Sequence, residues 1–184
     1  MKVSGFTWAI QWIYMIVLSS LMFWLNFLRG FILLGTTYSF KKSFAYLRGT
    51  YYDTYRERTH GVKVKFDVSN LIIIFMLGVF FLASDFPLSN LTTFLILVSI
   101  AYFVLTLIYI IFKTYYRLDR FVEVIQKMKN NWSMVFYTLM IIILAFLLTG
   151  FNRIWFVLFI PGLLCKMIDI AFSLSLIHIS EPTR

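Results

Sequence analysis

Four stretches of this 184-residue chain carry no formal charge: residues 3–28, 68–84, 86–112 and 130–152. A helix needs roughly 20 mainly apolar residues to cross about 30 Å of hydrocarbon, and the runs are of that order. Charged residues make up only 14% of the chain, against about 25% in a soluble domain, and mean hydropathy is +0.85. So many apolar runs in so short a chain leave too little polar surface to cover a water-soluble fold. The expected fold is an all-α, polytopic membrane helix bundle. It forms a single transmembrane domain over residues 1–173, with about five spans near 6–28, 68–84, 91–112, 134–149 and 154–172. Asp85-Phe86-Pro87 and Gly150-Phe151-Asn152 read as turns, and Pro161-Gly162 as a kink in the fifth span. Trp8, Trp12 and Tyr14 are candidate interfacial anchors at the start of the first.

The net charge is +9, but the basic residues fall between the apolar runs, where membrane topology places them without any nucleic-acid partner. With the N-terminus outside, Arg29, seven basic residues in 41–65, five in 113–129 and Lys166 face the cytoplasm. That is fourteen, against Lys2 and Arg153 outside. The C-terminal end of the last span is then cytoplasmic as well. The apolar stretch after Lys2 is longer than a signal-peptide core and reads as a retained span. The last eleven residues, LSLIHISEPTR, match the in-frame translation of a transposase-type sequencing-library adapter. Residues 174–184 are therefore expected to be a non-native tail, and His178, Glu181 and Pro182 receive no role.

Two polar segments carry helical apolar stripes. In the first, Phe40, Phe44, Leu47, Tyr51 and Tyr55 are spaced 4, 3, 4 and 4 among basic side chains. Such a helix is expected to lie at the cytoplasmic interface, with Phe44, Tyr51 and Tyr55 as candidate partner-binding residues. Residues 31–40 before it are too short to span and read as a bent continuation or a shallow return. In the second segment, Leu118, Phe121, Ile125, Met128 and Trp132 form the stripe, and Glu123 and Lys127 are an i,i+4 pair on the polar side.

Ionisable and polar groups at membrane depth are functional candidates because their desolvation is costly. Those of this chain are Gln11, Asn26, Arg29, Lys166 and Asp169. Arg29 suits a residue reaching back to the headgroups. Lys166 and Asp169 are three apart and can pair on one face. Gln11 and Asn26 suit hydrogen bonds between helices. The lone Cys165 has no sequence partner for a disulfide, and His60 sits in a basic loop. No HExxH, GxSxG, P-loop or GxGxxG pattern is present, so neither an enzymatic activity nor a metal or cofactor is expected.

The order of several features resembles the YesL-like family of small bacterial membrane proteins. These are Trp24-Leu25-Asn26 followed by Gly30 and Gly35, then Ser69-Asn70-Leu71 opening the second span, with Gly78 inside it and Asp85 at its end. The segment YYRLDRFVEVIQKMKNN, residues 115–131, is similar to that family's loop between spans three and four. The resemblance covers residues 8–172. Where the family carries a Pro-Ala pair, this chain has Thr36-Thr37. It implies a bacterial cytoplasmic-membrane protein associated with carbohydrate uptake and supplies no catalytic residues. The expected role is a non-enzymatic accessory or regulator of a transport system, with the lipid bilayer and a membrane transporter complex as partners. A small transporter acting in its own right as an oligomer is the alternative.

Overall fold

The computed structural model describes residues 5–30, 35–48, 59–62, 66–87, 89–149 and 157–180. Among these residues every regular element is an α-helix: α1 (Gly5–Arg29), α2 (Gly35–Arg48), α3 (Val68–Ser84), α4 (Asn90–Tyr115), α5 (Phe121–Asn130), α6 (Trp132–Thr149) and α7 (Ile160–Ser180). Local chemistry sets several of the ends. Asp67 caps α3, its carboxylate accepting from the Ser69 backbone amide at 3.1 Å. Ser89 and Thr92 form a reciprocal capping box that starts α4. Past the end of α4, the Leu118 amide donates to the Lys113 carbonyl at 3.0 Å, closing the helix through Arg117.

Among the described residues, 9–29 of α1 and all of α4 are long and apolar enough to cross a membrane. The bent pair α5–α6, with 95° between its halves, makes a third span if counted as one, and α3 is apolar but shorter. The expected spans 6–28, 68–84, 91–112 and 134–149 fall within α1, α3, α4 and α6. The start of the fifth, at 154–156, lies outside the described residues. Residues 157 and 158 are helical and a turn follows at 159. Pro161 is the second residue of α7, where its missing N–H leaves no helical bond unmade. The helical path is therefore interrupted next to the Pro161-Gly162 position expected to bend it. The turn expected at 150–152 lies outside the described residues. The backbone of α7 runs on to Ser180, into the adapter-like string, whose first seven residues include no Pro or Gly.

The helices α3 and α4 pack as a hairpin, and α2 sits among α1, α3, α4 and α7. The C-terminal half of α4 is the centre of the bundle. Ile108, Ile110, Ile111 and Phe112 are all buried, whereas Leu91, Phe94 and Leu97 near its start are exposed apolar residues. Phe112 and Tyr115 meet Phe172 of α7 edge to face, at 5.2 and 4.5 Å between centroids.

Two expectations for the polar segments need correction. The stripe on α2 turns inward: Phe40, Phe44 and Leu47 are buried, together with Thr36, Thr37, Ser39 and Ser43. Phe44, at 2% exposure, is a core residue. Tyr51 and Tyr55 lie outside the described residues. On α5, Val124 is the buried residue, while Phe121, Ile125 and Trp132 of the expected stripe are exposed. Glu123 approaches Arg120 at 3.8 Å, and Lys127 lies over the Tyr116 ring at 4.7 Å. The cation therefore meets an aromatic face instead of the expected carboxylate.

Close approach of α1 and α7 depends on Gly162. Its amide donates to Ser20 Oγ at 2.8 Å, and a Cβ placed on it would collide with the Ile16 carbonyl and with Ser20 Oγ. Neither obstacle is the far end of a flexible chain. Gly162→Ala is therefore expected to destabilise the bundle by about 2 kcal/mol, in the range of overpacking. Its thermal midpoint in detergent should drop by several degrees, and an unchanged midpoint would refute the contact.

Candidate functional site

Five charged residues, Asp67, Lys113, Arg48, Asp169 and Lys166, pair near the last turn of α4. Asp67 is 7% exposed and both of its carboxylate oxygens are occupied. Oδ1 accepts from the Ser69 amide at 3.1 Å and from Ser69 Oγ at 2.9 Å. Oδ2 accepts from Lys113 Nζ at 2.8 Å and from Thr37 Oγ1 at 3.1 Å. Burial pushes the Asp67 carboxyl up. The hydrogen bonds from Lys113 and Ser69 and the Lys113 charge outweigh it, so the group is held below the usual carboxylate range.

Asn70, on the next turn of α3, is fully buried. Its Oδ1 accepts from the Thr37 amide at 3.2 Å and lies 3.0 Å from the Thr37 hydroxyl. That hydroxyl has one proton for two acceptors, Asn70 and Asp67. Asn70 Nδ2 has no hydrogen-bond partner among the described residues. The cluster therefore ties the first turn of α2 to the start of α3 and the end of α4.

A second group lies at the other end of α2. Arg48 Nε donates to Asp169 Oδ1 at 3.2 Å, and Nη1 donates to the Tyr115 carbonyl at 3.1 Å. Its guanidinium lies 3.8 Å from the centroid of the Tyr115 ring. Lys166 reaches the other Asp169 oxygen at 3.9 Å and sits over the Trp12 ring at 4.8 Å. The expected i,i+3 pair on α7 is thus present, extended by an arginine 121 residues earlier.

Asn26 also joins helices: it accepts from Lys42 of α2 at 3.4 Å and donates to the Met22 carbonyl of its own helix at 2.6 Å. Arg29 is exposed at the end of α1, Gln11 is half-buried on the same helix, and His60 is exposed. The geometry brings Lys166 and Asp169 together with Arg48, and it adds Asp67, Lys113, Thr37 and Asn70, none of them among the expected site residues. One signal for them was available. Asp67, two residues before Ser69 and directly ahead of an apolar run, is a helix-start pattern. Nothing in the spacing pointed to Lys113, 46 residues away.

Chemically, both groups are networks of opposite charges that hold α2 in place. Most of their polar atoms are engaged with one another, Asn70 Nδ2 being the buried exception, and an arrangement of this kind anchors helices. The helices of membrane-spanning length and the apolar side chains exposed around them, such as Phe75, Phe81, Leu82, Leu105 and Phe136, suit a membrane protein. Comparison with models of known protein families, with curated proteins and with solved structures found no match for this chain.

Proposed function

We propose that the chain is a multi-pass protein of the bacterial cytoplasmic membrane, a non-enzymatic accessory or regulator of a transport system, with carbohydrate uptake the system favoured by the YesL-like resemblance. The observation that carries the membrane reading is the segregation of charge. Asp67, Lys113, Arg48, Asp169 and Lys166 gather around the end of α4, while the α3–α4 turn carries the single charge Asp85 among the exposed apolar residues Phe81, Leu82, Phe86 and Leu91. The charged end faces the cytoplasm in this reading, following the positive-inside asymmetry, and the chain crosses five times with its N-terminus outside.

A cavity of about 380 Å³ lies between α1, α2, α3, α4, α6 and α7. Phe23, Phe40, Leu77, Phe103 and Phe146 are among its lining residues, and the exposed lining is apolar. A sugar requires several placed hydrogen-bonding groups, so this cavity supports the accessory role over sugar transport by the chain itself. Co-purification with a permease, combined with no sugar uptake by the purified chain in proteoliposomes, is the expected result. Uptake by the chain alone would overturn the accessory reading and favour the oligomeric transporter.

Topology has its own test. Single cysteines at Asn90 and Lys127 are expected to react with impermeant reagent from opposite sides, Lys127 from the cytoplasm. Cys165 is fully buried and stays silent in the folded chain. Labelling of both positions from one side would rule out the five-span arrangement.

A further inference from the structure

A cleft of about 450 Å³ opens beside α2 at the charged end, bounded by the segment 60–62 and by the residues that follow α4. Lys41, Arg48 and Arg117 contribute three permanent cations to its wall, and Asp119 is the carboxylate among the described lining residues. Arg48 is already fixed from behind. Its bonds to Asp169 and the Tyr115 carbonyl use two of the five N–H donors of a guanidinium, and the side chain keeps 30% of its surface exposed. Lys41 and Arg117 have no ion-pair partner among the described residues.

The backbone of Arg117 makes the cleft more than a chance gathering of surface cations. Its φ is 57°, in the left-handed region. Tyr116 caps α4, and the Leu118-to-Lys113 bond places Arg117 at the position just past the cap, where glycine is the usual residue. A side chain there strains the backbone. Strain of this kind clusters at functional sites, and here it presents an exposed guanidinium to a cleft that already holds Lys41 and Arg48.

We propose that this cleft binds a phosphate-bearing anion, held by Arg117, Lys41 and Arg48. Guanidinium groups match phosphate oxygens geometrically. The anion is the headgroup of an anionic lipid or a soluble phosphate, and both offer the same oxygens to the same donors. The assignment rests on the cleft alone and is independent of the transport reading.

The test uses the full chain in detergent, titrated calorimetrically with inorganic phosphate and, separately, with short-chain phosphatidylglycerol. Saturable binding of inorganic phosphate identifies a soluble anion as the occupant. Binding of phosphatidylglycerol alone identifies the headgroup, and either result supports the site. Arg117→Gly is expected to weaken that binding about tenfold, the loss of one charge-assisted hydrogen bond, while its thermal midpoint stays at or above that of the parent. That combination separates a ligand-binding arginine from a structural one, since a structural arginine would lower the midpoint when removed. Lys41→Gln, on an unstrained helical residue, should weaken binding severalfold and keeps the proposal testable should the glycine variant fold poorly. Binding of neither probe would overturn the proposal, as would full-strength binding by both variants.

Discussion

Asp67→Ala is expected to destabilise the bundle by about 3–5 kcal/mol, the range for stripping one partner from a buried ion pair. The substitution leaves the Lys113 ammonium, at 13% side-chain exposure, without its counter-charge. It also deprives the Ser69 amide, the Ser69 hydroxyl and the Thr37 hydroxyl of their shared acceptor, and it removes the cap of α3. Replacing both partners, as in Asp67→Ala with Lys113→Met, should recover much of the loss, because an apolar pair leaves no buried charge. Thermal or denaturant unfolding in detergent reads both effects. Equal stability of the single and double variants would refute the pairing.

The same pair gives the fold an acid limit. Because the native Asp67 carboxyl is held below its ordinary value, its contribution is present at neutral pH. It is lost as pH falls below about 4, the unfolded value, and through the lowered native one. The parent should therefore lose more stability than Asp67→Ala between pH 7 and pH 3. An identical loss in both would show that Asp67 is not the group responsible.

Phe44→Ala is expected to destabilise by about 3–5 kcal/mol as well, the range for emptying a buried aromatic site. The Phe44 ring meets Tyr115 edge to face at 5.5 Å and lies 6.3 Å from Phe40, with the Arg48 guanidinium 5.8 Å from its centre. Removing it opens a void where α2 crosses α4. Phe44→Leu, which retains most of the volume, should lose considerably less. The outcome also separates a core residue from a docking residue. A docking residue would change partner capture with the unfolding midpoint unaltered, and that pattern would contradict the burial described above.

The apolar helices were legible because charge-free runs are a local property, read residue by residue along the chain. α1, α3, α4 and α6 each match such a run. The place of α2 was not legible. Its hydroxyl and basic residues give it the look of a surface helix, and periodicity alone cannot say whether an apolar stripe faces lipid or protein. Thr36, Thr37, Ser39 and Ser43 are buried because distant residues receive them: Asp67 and Asn70 accept from Thr37 across 30 and 33 positions. The pair Lys166–Asp169 was visible, being local to one helix. Its third member, Arg48, belonged to a segment that the sequence assigned to the membrane surface.

The placement of α2 has a consequence for the order of assembly. A helix carrying Lys41, Lys42 and Arg48 partitions poorly into hydrocarbon by itself, each cation at mid-helix costing about 2.5–3.5 kcal/mol. The acceptors that receive it are synthesised later, Asp67 after 30 residues and Asp169 only 121 residues beyond Arg48. In the membrane reading proposed above, with α1 inserted first, α2 would wait at the headgroups until α3, α4 and α7 have followed. On that reading chain order and docking order diverge, and the last contacts to form would be those of a helix made second.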